Sequence, residues 1–188
     1  SMIYASASTG TKTGNFNGVN GTPDEREFDD EHTTSYELGV KSTLLDATLR
    51  INAAAFYTEI EDYQFQDQLP VGIGTFVSND GEVEVSGVDI QVDALPLPNL
   101  TLTAGLLYMH KAEVTSGPQK GDDLSFTAEY SGSLSATLVF PLADGGIYIR
   151  TDYSYMDDHL TNGAKVTEDK DIQDRSLLNI KAGWRNDH

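Results

Sequence analysis

Apolar and polar residues alternate with period two along most of this chain, and no other feature restricts its fold as strongly. From Tyr130 to Leu142 one parity reads Tyr130, Gly132, Leu134, Ala136, Leu138, Phe140, Leu142, and the other reads Ser131, Ser133, Ser135, Thr137, Val139, Pro141. Val88, Ile90, Val92 and Ala94 alternate with Gly87, Asp89, Gln91 and Asp93. Tyr36, Leu38 and Val40 oppose Glu37, Gly39 and Lys41, and near the end Leu178, Ile180, Ala182 and Trp184 oppose Asn179, Lys181, Gly183 and Arg185. A strand with two unlike faces produces this pattern, and helical spacing fails in the same windows. Strands are expected near 3–9, 34–45, 48–63, 82–95, 99–114, 126–142, 146–157 and 175–185. Several exceed the length usual in globular sheets and suit a strand tilted across a bilayer, which needs about 9–11 residues.

The connections sort by length. Leu45-Asp46-Ala47, Leu95-Pro96-Leu97-Pro98-Asn99 and Ala143-Asp144-Gly145-Gly146 are short, and long segments near 10–33, 64–81, 115–125 and 158–174 fall between them. An up-and-down membrane barrel sorts its connections this way, with brief periplasmic turns on one rim and long loops on the other. The expected fold is therefore all-β: an antiparallel up-and-down meander of about eight strands, a fragment of a larger transmembrane β-barrel. Tyr57, Tyr63, Tyr108, Tyr130, Tyr153, Tyr155 and Trp184 fall on the mainly apolar parity, where aromatic rings favour a bilayer interface. Cross-strand packing in a soluble sheet is the plainer reading of the same residues.

Composition narrows the partners. The formal charge is −18 with no cysteine, so no basic stripe exists to neutralise nucleic acid and no thiolate chemistry is available. No run of about 18 apolar residues is present, which excludes a membrane-spanning helix but not a barrel. Ser1-Met2 lacks the basic and apolar regions of a signal peptide, and both ends read as cuts in a longer sequence.

The ordered motifs resemble the C-terminal barrel of the TonB-dependent outer-membrane receptors. Ile3 to Asn17 resembles that family's strand ending in Gly-x-Lys-x-Gly-x-Phe-Asn, and Glu31-His32-Thr33-Thr34-Ser35-Tyr36-Glu37-Leu38-Gly39-Val40-Lys41-Ser42 resembles its next strand. Leu49 to Tyr57, Ile60 to Gln64, Asn79, Gly87-Val88-Asp89, Leu95 to Leu102, Arg150 to Tyr155 and Leu177 to Asn179 continue the series in order. Thr127 departs from a proline common in the family, and Glu82-Val83-Glu84 is more acidic than its usual pattern. The resemblance implies that residues 1–188 form part of one receptor barrel, without the plug domain or the final strand. It also implies a wet or plug-filled interior, into which Glu37, Lys41, Arg50, Asn52, Asp89, Asp93, Arg150, Asp152 and Lys181 can point.

The same resemblance implies a receptor in the outer membrane of a Gram-negative bacterium, embedded in lipid bilayer and lipopolysaccharide. Its ligand would be a small molecule or metal chelate: a ferric siderophore, haem, cobalamin or an oligosaccharide. Energy would come from the TonB complex through the plug, and no cofactor is implied. Arg26, Phe28, Gln64, Phe65 and His159 combine planar or cationic groups with loop positions, and are the candidate ligand contacts.

No enzyme is expected. Ser131-Gly132-Ser133 is strand alternation and lacks the nucleophile elbow, and the histidines (His32, His110, His159, His188) have no zinc spacing. Asp29-Asp30-Glu31-His32, Asp157-Asp158-His159 and Glu168-Asp169-Lys170-Asp171 group hard oxygen ligands, but none fits a calcium loop, and no metal is expected. Two rivals stay open: a soluble all-β module, for instance a calcium-dependent carbohydrate binder, and an outer-membrane barrel enzyme. An isolated piece of barrel is also expected to hide its apolar parity by self-association through its open edges or by closing into a small barrel.

Overall fold

The computed structural model describes residues 1–18, 27–68, 75–160 and 171–186. Eight long strands form one antiparallel sheet: β1 (Met2–Lys12), β4 (Glu31–Leu44), β5 (Leu49–Glu61), β8 (Val83–Leu97), β9 (Leu100–Val114), β10 (Tyr130–Leu142), β11 (Gly145–Met156) and β14 (Arg175–Asn186). Each pairs with the next in that order, so the sheet is an uncrossed meander. Three short hairpins sit in the long connections: β2 (Asn15–Phe16) with β3 (Glu27–Phe28), β6 (Gln64–Gln68) with β7 (Thr75–Asn79), and β12 (His159–Leu160) with β13 (Asp171–Ile172). The expected strands are all present, and the short and long connections lie on opposite rims.

Register carries the two parities across the sheet as two faces. On one, Leu38, Ala55, Val88, Tyr108 and Tyr130 stand opposite one another in succession through β4, β5, β8, β9 and β10. On the other, Lys41 faces Asn52, which faces Gln91, while Arg50 faces Asp93, which faces Thr103. Arg150 and Asp152 face Lys181 and Asn179 on that same polar side. Arg150 binds the Asp152 carboxylate at 2.7 Å, and Ser135 donates to it from β10.

The sheet is a single layer. Leu38, Leu178 and Ile180 on the apolar face are 60%, 62% and 70% exposed, whereas a soluble sandwich would cover such side chains with a second sheet. Exposed apolar area on this scale is the signature of a lipid contact. Tyr57, Tyr108, Tyr130, Tyr153, Tyr155 and Trp184 lie on this face as expected. Tyr63 does not: it lies beyond the end of β5 and packs inside the long connections.

Tyr4 and Tyr148 are on the polar face, each opposite a glycine. A Cβ on Gly39 would lie 2.4 Å from the Tyr4 ring, and one on Gly183 would lie 2.6 Å from the Tyr148 hydroxyl. Both rings therefore fill the notch that a glycine leaves in the neighbouring strand. A cation flanks each ring, Lys41 at 5.1 Å and Arg185 at 5.9 Å from the centroid. Tyr4 also donates a 2.6 Å hydrogen bond to Glu37.

The first short turn is unusual. Leu45, Asp46 and Ala47 all have positive φ, between 52° and 69°, a conformation that costs a non-glycine residue energy. Thr48 compensates, donating to the Leu45 carbonyl from its amide (3.0 Å) and its hydroxyl (2.7 Å).

Candidate functional site in the outer loops

On the rim of long connections the chain builds the only buried apolar cluster among the described residues. Phe65, Val83 and Val114 form its centre, and Ile60, Tyr63, Val85 and Leu124 pack round them. Tyr63 meets Phe65 edge to face, with centroids 4.7 Å apart. Burial raises the Tyr63 phenol above its ordinary pKa, and the nearby Glu31 carboxylate pushes in the same direction.

Polar stitching surrounds this cluster. The Gln64 amide N–H donates to the buried Glu31 carboxylate at 3.0 Å, and its Nε2 reaches the carbonyls of Asp29 (3.0 Å), Lys12 (3.3 Å) and Thr13 (3.4 Å). Lys12 lies 3.6 Å from the same carboxylate. Asn79 donates to the carbonyls of Asp29 (3.0 Å) and Asp62 (2.6 Å) and accepts from the Asp29 amide (2.7 Å). Asn17 clasps the backbone of Val77 in both directions, each bond 2.8 Å. The first and second long connections are thus fastened together by three carboxamide side chains.

The third connection joins the second through Gly117, whose φ is 82° and whose absent Cβ would collide with the Asp80 carbonyl. Only glycine fits there. Glu82 completes the seam, accepting from the Thr115 amide (2.9 Å) while its own amide donates to the Ser116 hydroxyl (2.9 Å). Farther round, the Phe126 amide donates to the Leu160 carbonyl at 2.6 Å and ties the third connection to the fourth.

Between these last two connections and the outer end of β9 lies a recess of about 500 Å³. Lys111, Asp123, Thr127, Glu129, Asp157 and His159 are among its lining residues. His110, also in the lining, is the extra residue of a β-bulge, because Ser86 faces Lys111 while Gly87 faces Met109. Lys111 is held by Glu84 at 2.5 Å, so its charge is matched outside the recess.

The candidate residues separate clearly. His159 lines the recess with Nδ1 3.1 Å from the Asp157 carbonyl. Phe28 is half-buried opposite Asn15, in the β2–β3 hairpin. Gln64 and Phe65 are 9% and 8% exposed, and their side chains hold loop to loop. Arg26 lies outside the described residues. Among the described residues no three His, Asp or Glu side chains converge to hold a metal ion, and most of Glu168-Asp169-Lys170-Asp171 lies outside them. Sequence reasoning missed the fastening roles of Asn17, Asn79 and Glu31. Asn79 and Glu31 were visible as motif residues, but the spans of 50 and 33 residues that their bonds bridge left no local signal.

A family model described as "TonB dependent receptor-like, beta-barrel" matches residues 1–187. The chain belongs to the TonB-dependent receptor β-barrel family. The family is one of receptors and transporters in the Gram-negative outer membrane, and the apolar face described above is this barrel's lipid face. By the same placement the short turns are periplasmic and the stitched loops face outward. The pesticin receptor of Yersinia enterocolitica is 34% identical over 90 residues, covering 47% of this chain and 13% of that protein. The ferric yersiniabactin uptake receptor of Yersinia pestis aligns over 97% of this chain and 27% of its own, with a TM-score of 0.81 and 22% identity. The ferric preacinetobactin receptor of Acinetobacter baumannii aligns over 96% and 26%, with a TM-score of 0.74 and 20% identity. The chain spans about a quarter or less of each of these relatives.

Proposed function

We propose that this chain is part of a receptor that imports a ferric siderophore across the outer membrane, driven by the TonB complex through a plug domain. The observation that carries the reading is the match of the family model along residues 1–187. It is supported by the likeness to the ferric yersiniabactin receptor of Yersinia pestis and the ferric preacinetobactin receptor of Acinetobacter baumannii. The fold adds a physical reason. A wall with charged side chains on its inner face and a fastened set of outer loops can hold a ligand outside while a conduit is opened below it.

In this reading Phe28, His159 and Arg26 contact the ligand or its approach path, while Gln64 and Phe65 position the loops that carry them. Radioiron uptake tests it, using cells that express the full receptor containing this chain under iron limitation. Uptake of at least one ferric siderophore that requires both the receptor and an intact TonB complex is the expected result. Growth support by haem, cobalamin or an oligosaccharide, with no iron-chelate uptake, would replace the ligand class. Unchanged affinity and uptake on Arg26→Ala together with Phe28→Ala would remove that pair from the site.

A further inference from the structure

Phe126 is the one aromatic residue among the described residues whose φ is positive, at 61°. It is also 71% exposed, so no apolar packing among the described residues accounts for the conformation. A bulky side chain in this region is strained by roughly 1–3 kcal/mol and is retained only where its surroundings fix it. Here the fixing contact is visible: the 2.6 Å bond from its amide to the Leu160 carbonyl. Leu124 and Thr127, on either side of it in sequence, and Leu160 all line the 500 Å³ recess. The ring itself is not part of the wall; the backbone holds it at the rim.

The charge around the recess is one-sided. Glu113, Asp123, Glu129, Asp157 and Asp158 contribute carboxylates, and Lys111 is engaged by Glu84. The long connections together hold about half of the chain's 30 acidic residues. Such a field repels anions during approach as well as at the site.

The geometry points to Phe126 and the recess below it as a binding station for a metal chelate that carries an aromatic ring and no net negative charge. The ring stacks on Phe126, and the carboxylates turn away trianionic chelates. This rests on the siderophore reading above, which fixes the ligand as an iron chelate but not its charge or its rings.

Equilibrium binding of radioiron chelates to outer membranes carrying the full receptor tests the assignment. Three probes separate the terms: an uncharged ferric chelate with phenolate rings, an uncharged ferric tris-hydroxamate without rings, and a trianionic ferric tris-catecholate. The phenolate chelate should bind best. Phe126→Ala should weaken it about tenfold, the scale of one lost aromatic contact, and Phe126→Trp should retain it. Phe126→Gly favours the same backbone conformation, so it removes the ring without loading the loop if the alanine variant assembles poorly. Phenolate binding unchanged in both the Ala and Gly variants overturns the assignment, as does a tris-catecholate that binds as tightly as the phenolate. Binding of none of the three chelates overturns the siderophore reading as well.

Discussion

A primary carboxamide can donate and accept at once, and Gln64, Asn79 and Asn17 each use that capacity to join segments far apart in sequence. Gln64 sits at the hub, because its backbone amide is committed to the buried Glu31 carboxylate. Glu31→Ala would leave that buried N–H unsatisfied, at a cost of about 1–3 kcal/mol. The expected outcome in the full receptor is faster protease cleavage of the outer loops, with the barrel still resistant; unchanged cleavage would contradict the hub. Tyr63 gives a pH prediction with a definite sign. Its folded-state pKa is raised, chiefly by burial and then by Glu31, so the folded state holds the phenolic proton more tightly than the unfolded one. Its contribution is therefore complete below the ordinary phenol pKa of 10.0 and is lost as pH climbs from there through the raised value. Loop protection against protease should fall in that alkaline range and should do so less in Tyr63→Phe.

Alternation makes the strands legible in the sequence, since one residue of slip would exchange every lipid-facing side chain for a wet one. Leu38 and Asn52 show the two outcomes. Leu38→Arg puts a charge on the lipid face and should cost about 2–4 kcal/mol at mid-membrane depth. Asn52→Arg, in the row of Lys41 and Gln91 on the polar face, should be nearly neutral. Denaturant titration of the full receptor in detergent micelles or liposomes checks the difference, and equal costs would refute the assignment of faces. The loops were less legible because their order comes from contacts of long range. Phe65 and Gln64 looked like ligand groups by residue type, yet Val83 and Val114 claim the first and backbone carbonyls the second. His159 was legible as a rim residue. Phe126 was not, because nothing in residue identity announces a positive φ. The turn at Leu45-Asp46-Ala47 was recognised by its length alone, without the Asn or Gly that usually marks such a conformation.

In the isolated chain, β1 and β14 each have one partner strand among the described residues. Unpaired edges and a bare apolar face drive association. The isolated 188-residue chain in detergent-free buffer is expected to form dimers or larger species, and light scattering that finds a stable open monomer would contradict this. The outer strands also carry the two tyrosine–glycine pairs, in β1–β4 and β11–β14. A ring seated over a glycine acts as a detent. Shifting the pair by two residues keeps every side chain on its proper face, so alternation alone would not resist it, but the ring would then meet a neighbour with a Cβ. Alignment of β1 on β4 and of β14 on β11 is thus indexed by shape where hydrophobic patterning is blind.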